Sequence, residues 1–252
     1  MKILIACEES QTICKAMRAI GNECYSADLQ ECSGGHPEWH IMGDCLPLLN
    51  GNCEFITQDG NTHRIEGKWD LIIAHPPCTY LTNVATRHHS LAHTPLEKIN
   101  KRTEKRIEAM ELFMKFVNAD CDKIAIENPI GVMNTCYRKP DQTIQPYYFA
   151  ESKEDNENYV TKATCLWLKN LPNLIYDNKL PKPDNGVLFG TYVRKDGRVK
   201  NKNWVDSMTA GNQAARAKIR SKTFPGIAKA IADQWGTEKI LKYKIAVPRK
   251  LW

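Results

Sequence analysis

The chain has 252 residues, 42% of them hydrophobic and 25% charged, with a formal net charge of +6; such a composition supports a globular core and excludes a disordered or fibrous chain. No apolar run approaches the roughly 20 residues of a membrane span, and the opening MKILIACEES turns polar within a few residues, so no membrane segment or export signal is expected and a cytoplasmic location follows. Ten cysteines without framework spacing read as reduced thiols, most of them buried.

KILIA (2–6) has the make-up of a short buried strand, and SQTICKAMRAIG then sets Ile13, Met17 and Ile20 at helical spacing, with Ser10 as N-cap and Gly21 as stop. ECYSADL returns as a second strand ending near Asp28. WDLIIA (69–74) is a third, apolar enough to be buried on both faces. Residues 95–118 predict a helix with an apolar stripe at Ile107, Met110, Met114 and Val117, and KIAIEN supplies another buried strand. Residues 170–215, rich in Asn, Lys, Pro and Gly, show no sustained period. FPGIAKAIADQW restores a helix, with Pro225 in its first turn and Ile227, Ile231 and Trp235 on one side; the tail YKIAVPRKLW fits an edge strand and a basic end. Strands alternating with helices predict an α/β fold, a Rossmann-like doubly wound and mostly parallel sheet with a small loop-rich insertion. The expected organisation is a catalytic, cofactor-binding domain over 1–165, an insertion over 166–215, and a closing helix and tail over 216–252.

In such sheets ligands sit beyond the carboxyl ends of the strands. The sequence places Cys7 and Glu8, Asp28, Pro76 to Cys78, and Glu127 with Asn128 at four such ends. In HPPCTYL two prolines fix φ and remove backbone donors, making a stiff exit from a buried strand that aims the next side chain. A free thiol has a pKa near 8.5, so a nucleophilic Cys78 needs a cation, a dipole or the substrate to favour the thiolate. On spacing alone, a buried structural cysteine is the simpler reading. IAIENP drives a second apolar strand into an acid and an amide, with a helix N-cap as the plain alternative for Glu127. Together, a thiol and a carboxylic acid suit attack on an electron-poor ring, the sulfur adding to carbon while the acid serves a ring nitrogen.

HPPCTYL and IAIENP resemble the Pro-Cys and Glu-Asn signatures of DNA cytosine-5 methyltransferases, in that family's order and with a helix between them. MGDCLPLL resembles its Gly-Asp element, and YSADLQE the acidic end of its second strand. The likeness covers roughly residues 1–135, more loosely 224–235, and is closest to compact bacteriophage-type members. It implies a class I S-adenosylmethionine-dependent methyltransferase fold and activity on double-stranded DNA with a flipped cytosine. Cys78 would add to C6 and Glu127 would hold and protonate N3, while Asn128 positions the Pro-Cys loop. Asp28 would accept from the cofactor's ribose hydroxyls and Asp44 from its adenine amino group, with Cys7, Glu8 and Pro76 completing the pocket. The family's glycine-rich first loop is here ACEESQ, leaving Glu8 to meet the cofactor's ammonium. Its arginine-rich strand motif is replaced by YVTKATCLWL, with Lys162 or Thr164 near the cytosine O2. The target-recognition region shrinks to the stretch near 170–215, where Arg194, Lys195 and Arg198 are candidate phosphate contacts or simply a solvated loop.

Three other readings compete. CSGGHPEWHIMGDC offers Cys32, His36, His40 and Cys45 as zinc ligands of a non-catalytic nucleic-acid-binding module, although the spacing matches no established zinc motif; the methyltransferase reading needs no metal. An amino methyltransferase of N4-cytosine or N6-adenine would share the prolines but not the thiol or the Glu-Asn pair. A free cytosine nucleotide could replace DNA, or a modified group the methyl. No membrane and no obligate protein partner are indicated. His75 has no role in any of these readings.

Overall fold

The computed structural model describes residues 1–83, 87–92, 94–176, 180–205 and 219–237. Its centre is a seven-stranded sheet of β1 (Lys2–Ala6), β2 (Glu23–Asp28), β3 (His40–Met42), β6 (Leu71–Ala74), β7 (Ile124–Pro129), β8 (Gln142–Ile144) and β9 (Thr164–Lys169). The strand order is β3-β2-β1-β6-β7-β9-β8. All pairings up to β7 are parallel, and β9 runs antiparallel between β7 and β8. The first five positions follow the doubly wound order, with the switch point between β1 and β6. A boundary at residue 165 would fall inside β9, so the sheet continues to Lys169.

Alternation along the strands divides the core between the two faces. Ile3 and Ile5 of β1, Leu71 and Ile73 of β6 and Leu166 of β9 pack with α1 (Thr12–Ala19) and the C-terminal helix α5 (Pro225–Trp235). Leu4, Ile72, Ile126 and Trp167 pack on the opposite face, under α2 (Leu96–Val117) and a hairpin of β4 (Cys53–Ile56) and β5 (Thr62–Ile65). Of the stripe expected on α2, Met110, Met114 and Val117 pack against this core, while Ile107 is 51% exposed and the fully buried residues are Phe113 and Phe116. At about 1.5 Å per residue the 22-residue helix is roughly 33 Å long, and its first half, residues 96–106, is mostly exposed.

A short helix α3 (Met133–Cys136) follows β7. The loop-rich stretch holds α4 (Asn185–Phe189) and an exposed hairpin, β10 (Thr191–Val193) with β11 (Val199–Asn201). The tail expected as an edge strand lies outside the described residues, as do residues 206–215 of the expected insertion. Among the described residues no helix is long and apolar enough to cross a membrane. The ten cysteines are unbridged.

Candidate active site

The carboxyl edge of the sheet begins with the loop after β1. Cys7 (φ 59°) and Gln11 (φ 56°) occupy the left-handed region without being glycine, each a strain of about 1–3 kcal/mol that needs surrounding support. Gln11 supplies part of it: the buried amide donates from Nε2 to the His36 carbonyl at 2.8 Å and accepts from the His36 N–H at 3.1 Å. The reversals turn Glu8 inward, where its carboxylate accepts from the amides of Ile13 (2.7 Å) and Cys14 (3.2 Å). Glu8 therefore caps α1. Ser10, expected in that role, instead places its Oγ 3.0 Å from Thr12 Oγ1. Burial holds the Glu8 carboxyl above its ordinary range, with His75 and the two amides pulling the other way. Its neighbour Glu9 is buried as well, and neither of its carboxylate oxygens has a hydrogen-bond partner.

Asp28 ends β2 and accepts from the Gln30 amide at 3.0 Å, and Asp44 accepts from Leu46 at 2.9 Å. The Gly43 N–H donates to the Asp28 carbonyl at 2.8 Å, bringing the two acids to adjacent positions on the edge. Beside them the Cys45 thiol and burial push Cys7 well above the ordinary thiol range.

After β6 the His75 amide makes one more sheet bond, to the Ala6 carbonyl at 2.9 Å. Pro76 is buried; Pro77 and Cys78 are exposed. The chain then turns, with the Leu81 and Thr82 amides both donating to the Cys78 carbonyl. Three contacts fasten this turn to the segment leaving β7. Asn128 Nδ2 donates to the Pro76 carbonyl at 2.7 Å, Val132 N–H to the Leu81 carbonyl at 2.8 Å, and Asn83 N–H to the Ile130 carbonyl at 3.3 Å. A Cβ at Gly131 would overlap the Leu81 carbonyl oxygen, so this approach requires glycine.

Glu127 stands between these elements and binds His75, Nδ1 to Oε2 at 2.7 Å, with the side chains only 16% and 9% exposed. Burial pushes the His75 imidazole down, but the hydrogen bond and charge of Glu127, with Glu8 behind, leave it above its ordinary value. Burial likewise pushes Glu127 up, and His75 and Lys162 outweigh it, leaving the carboxyl below its ordinary value. The two opposed shifts favour an imidazolium facing a carboxylate. Because β9 is antiparallel, its beginning lies at this edge: Thr164 is opposite Pro129, and Lys162 precedes it. Lys162 Nζ donates to the Arg220 carbonyl at 2.9 Å, just before α5. Local desolvation and the Glu127 charge raise the Cys78 thiol above its ordinary value, while Lys162 and Arg220 pull it down.

The edge thus gathers Cys7, Glu8, Asp28, Asp44, Pro76, Cys78, Glu127, Asn128, Lys162 and Thr164. Arg194, Lys195 and Arg198 lie apart on the exposed β10–β11 hairpin, where Arg198 pairs with Asp196 at 2.6 Å. Two participants are not singled out by the sequence patterns. His75 carries one signal, a polar ring directly after a fully buried strand, and Glu9 carries none that separates it from Glu8. The histidines of the proposed zinc cluster are otherwise engaged. Buried His40 contacts Ser26 Oγ and the Gln30 carbonyl through its two nitrogens, and His36 pairs with Glu38. Among the described residues no group of three or more His, Cys, Asp or Glu is placed to hold a metal. An open concavity of about 620 Å³ between α2 and residues 46–50 is lined mainly by apolar side chains and does not include Cys78 or Glu127.

No protein-family model matches the sequence, and no curated protein matches it significantly.

Proposed function

We propose that this chain is a DNA cytosine-5 methyltransferase using S-adenosylmethionine, with a Rossmann-like class I catalytic domain. One observation carries the reading: an exposed thiol on a proline-stiffened strand exit is fastened, through Asn128 and the Leu81–Val132 contact, to the segment bearing a buried carboxylate. A flat heterocycle entering this edge would meet sulfur and carboxylate together.

The residues around the switch point suit the cofactor. The partnerless carboxylate of Glu9 fits an ammonium, since a buried charge demands a counter-charge. Asp28 and Asp44 offer acceptors for ribose hydroxyls and an adenine amino group. When bound, S-adenosylmethionine supplies an electrophilic methyl group.

Cys78 rests as a thiol at neutral pH and loses its proton to water as it is drawn into reaction, the charges of Lys162 and Arg220 favouring the thiolate. Sulfur bonds to C6, and the electron pair displaced toward N3 is met by a proton from the His75–Glu127 pair. In this cycle the pair shares one proton, which the opposed shifts favour on His75 in the free protein and which reaches the ring through Glu127 across the 2.7 Å contact. After methylation at C5, the C5 proton leaves to water, the sulfur–C6 bond breaks, and the N3 proton returns to the pair. Asn128 holds the Pro76 carbonyl so that Cys78 keeps its aim.

The test is incubation with S-adenosylmethionine and mixed-sequence duplex DNA, followed by digestion to nucleosides and mass analysis, with Cys78→Ser as control. The expected product is methylated cytosine, absent from the control, and DNA carrying 5-fluorocytosine should trap a covalent adduct on Cys78. Methylated adenine, or cytosine methylation that survives Cys78→Ser, refutes the reading.

A further inference from the structure

Three of the buried polar atoms without a partner converge beside the Cys78 turn. Arg102 and Arg106 lie one turn apart on α2, so both face the same neighbour, Tyr80. Arg106 Nε donates to the Tyr80 carbonyl at 3.1 Å, and the Arg102 guanidinium stands 5.2 Å from the centre of the Tyr80 ring. His89 lies against the same helix, with Nδ1 3.5 Å from Thr103 Oγ1. Arg102 Nε, Arg106 Nη2 and His89 Nε2 are withdrawn from solvent and make no hydrogen bond. The neighbouring Lys101 and Lys105 pair with Glu97 and Glu108, whereas neither arginine forms an ion pair among the described residues.

Packed cations with unused donors and no carboxylate partner among the described residues are an unfavourable arrangement unless an anion joins them. The strain registers on the groups themselves: burial, Arg106, Arg102 and His88 push the His89 imidazole down, and burial and Arg102 push Arg106 down. Two guanidinium forks and a ring N–H match the several acceptor oxygens of a phosphate. The location adds meaning, because Tyr80 follows Cys78 by two residues, at most about 7 Å of chain.

We propose that Arg102, Arg106 and His89 form a binding site for the phosphate of the nucleotide whose base enters at Cys78. This rests on the cytosine-modification reading and extends it from the base to its backbone. The same phosphate chemistry is offered by a DNA strand and by a free cytidine nucleotide, and the experiment separates them.

Wild-type protein, Arg102→Gln and Arg106→Gln are titrated with a cytosine-containing duplex, with deoxycytidine monophosphate and with inorganic phosphate, over a range of salt and without S-adenosylmethionine. Each substitution is expected to weaken phosphate-bearing ligands about tenfold and to lower the logarithmic salt slope for the duplex by about 1. A loss seen with the duplex alone assigns the site to the strand; an equal loss with the mononucleotide assigns it to the nucleotide's own phosphate. Because Arg106 also supports Tyr80, Arg106→Lys and a fold-independent readout accompany it: inorganic phosphate should raise the titration midpoint of the His89 imidazole in the wild-type NMR spectrum. Unchanged duplex affinity and salt slope in both Gln variants, or a His89 resonance that ignores phosphate, overturns the proposal. Cytosine methylation by a wild type whose variants bind normally removes only the phosphate site. Duplex binding through this cluster without any cytosine product removes the methyltransferase reading and leaves the site standing.

Discussion

Replacing His75 by glutamine withdraws the cation that faces Glu127 at 2.7 Å, in a place where the two side chains keep only 9% and 16% of their exposure. Breaking a buried pair from one side costs about 3–5 kcal/mol, and the residual exposure argues for the lower end; about 3 kcal/mol corresponds to roughly 6–12 °C in melting temperature for a chain of this size. The pH dependence gives the sharper signature. The Glu127 carboxyl is lowered in the fold, so its contribution is present above its unfolded value of about 4.3 and is lost as pH falls through the folded value. His75 is raised, so its contribution is complete below about 6.5 and is lost as pH rises through the folded value. Both act together between about pH 4.3 and 6.5, and the stability gap between wild type and His75→Gln should be widest there. Thermal melts of wild type, His75→Gln, Glu127→Gln and the double variant from pH 4.5 to 9 measure both the gap and the coupling. A gap that stays flat with pH, or a coupling below about 0.5 kcal/mol, would refute the charged pair.

Three further outcomes follow from the same geometry. Asn128→Ala removes the donor to the Pro76 carbonyl and should cost about 1–3 kcal/mol in denaturant unfolding, while slowing adduct formation with 5-fluorocytosine DNA more than duplex binding. Gly131→Ala forces the β7 exit away from Leu81; a loss of about 1–3 kcal/mol with a larger fall in cytosine methylation is expected, and full activity would show that the contact does not aim the thiol. Glu9→Gln relieves an unpaired buried carboxylate, so the melting temperature should hold or rise while calorimetry shows S-adenosylmethionine binding weakened about tenfold or more, an ion-paired hydrogen bond being worth about 1.5–3 kcal/mol. Unaltered affinity would remove Glu9 from the cofactor pocket.

The strands that carry the site were legible because β1, β6 and β7 are short apolar runs ending abruptly in polar residues, the mark of strands buried on both faces. β3 and β8 have three residues each, too few for any period to register. The hidden part of the site has one physical cause. His75 and Glu127 are 52 residues apart and meet only because β6 and β7 are neighbours in the sheet. That two adjacent acids, Glu8 and Glu9, are both buried in a loop with left-handed backbone at Cys7 and Gln11 is announced by no glycine. Likewise Met110, Met114 and Val117 of the expected α2 seam do pack on the core, but its deepest residues are Phe113 and Phe116, which helical periodicity alone does not rank above their neighbours.

The reversed direction of β9 has a consequence for the order in which the edge can be assembled during synthesis. Parallel strands contribute the residues that follow them, so everything up to Asn128 is in hand once the first half of the chain has emerged. An antiparallel strand contributes what precedes it, and Lys162 is the cation that arrives this way. Its ammonium is held by carbonyls of Arg220 and Lys222, almost sixty residues later. A nascent chain would carry the thiol and the carboxylate long before their cation is anchored, so on the proposed chemistry reactivity would be withheld until the segment at Arg220 and Lys222 is in place.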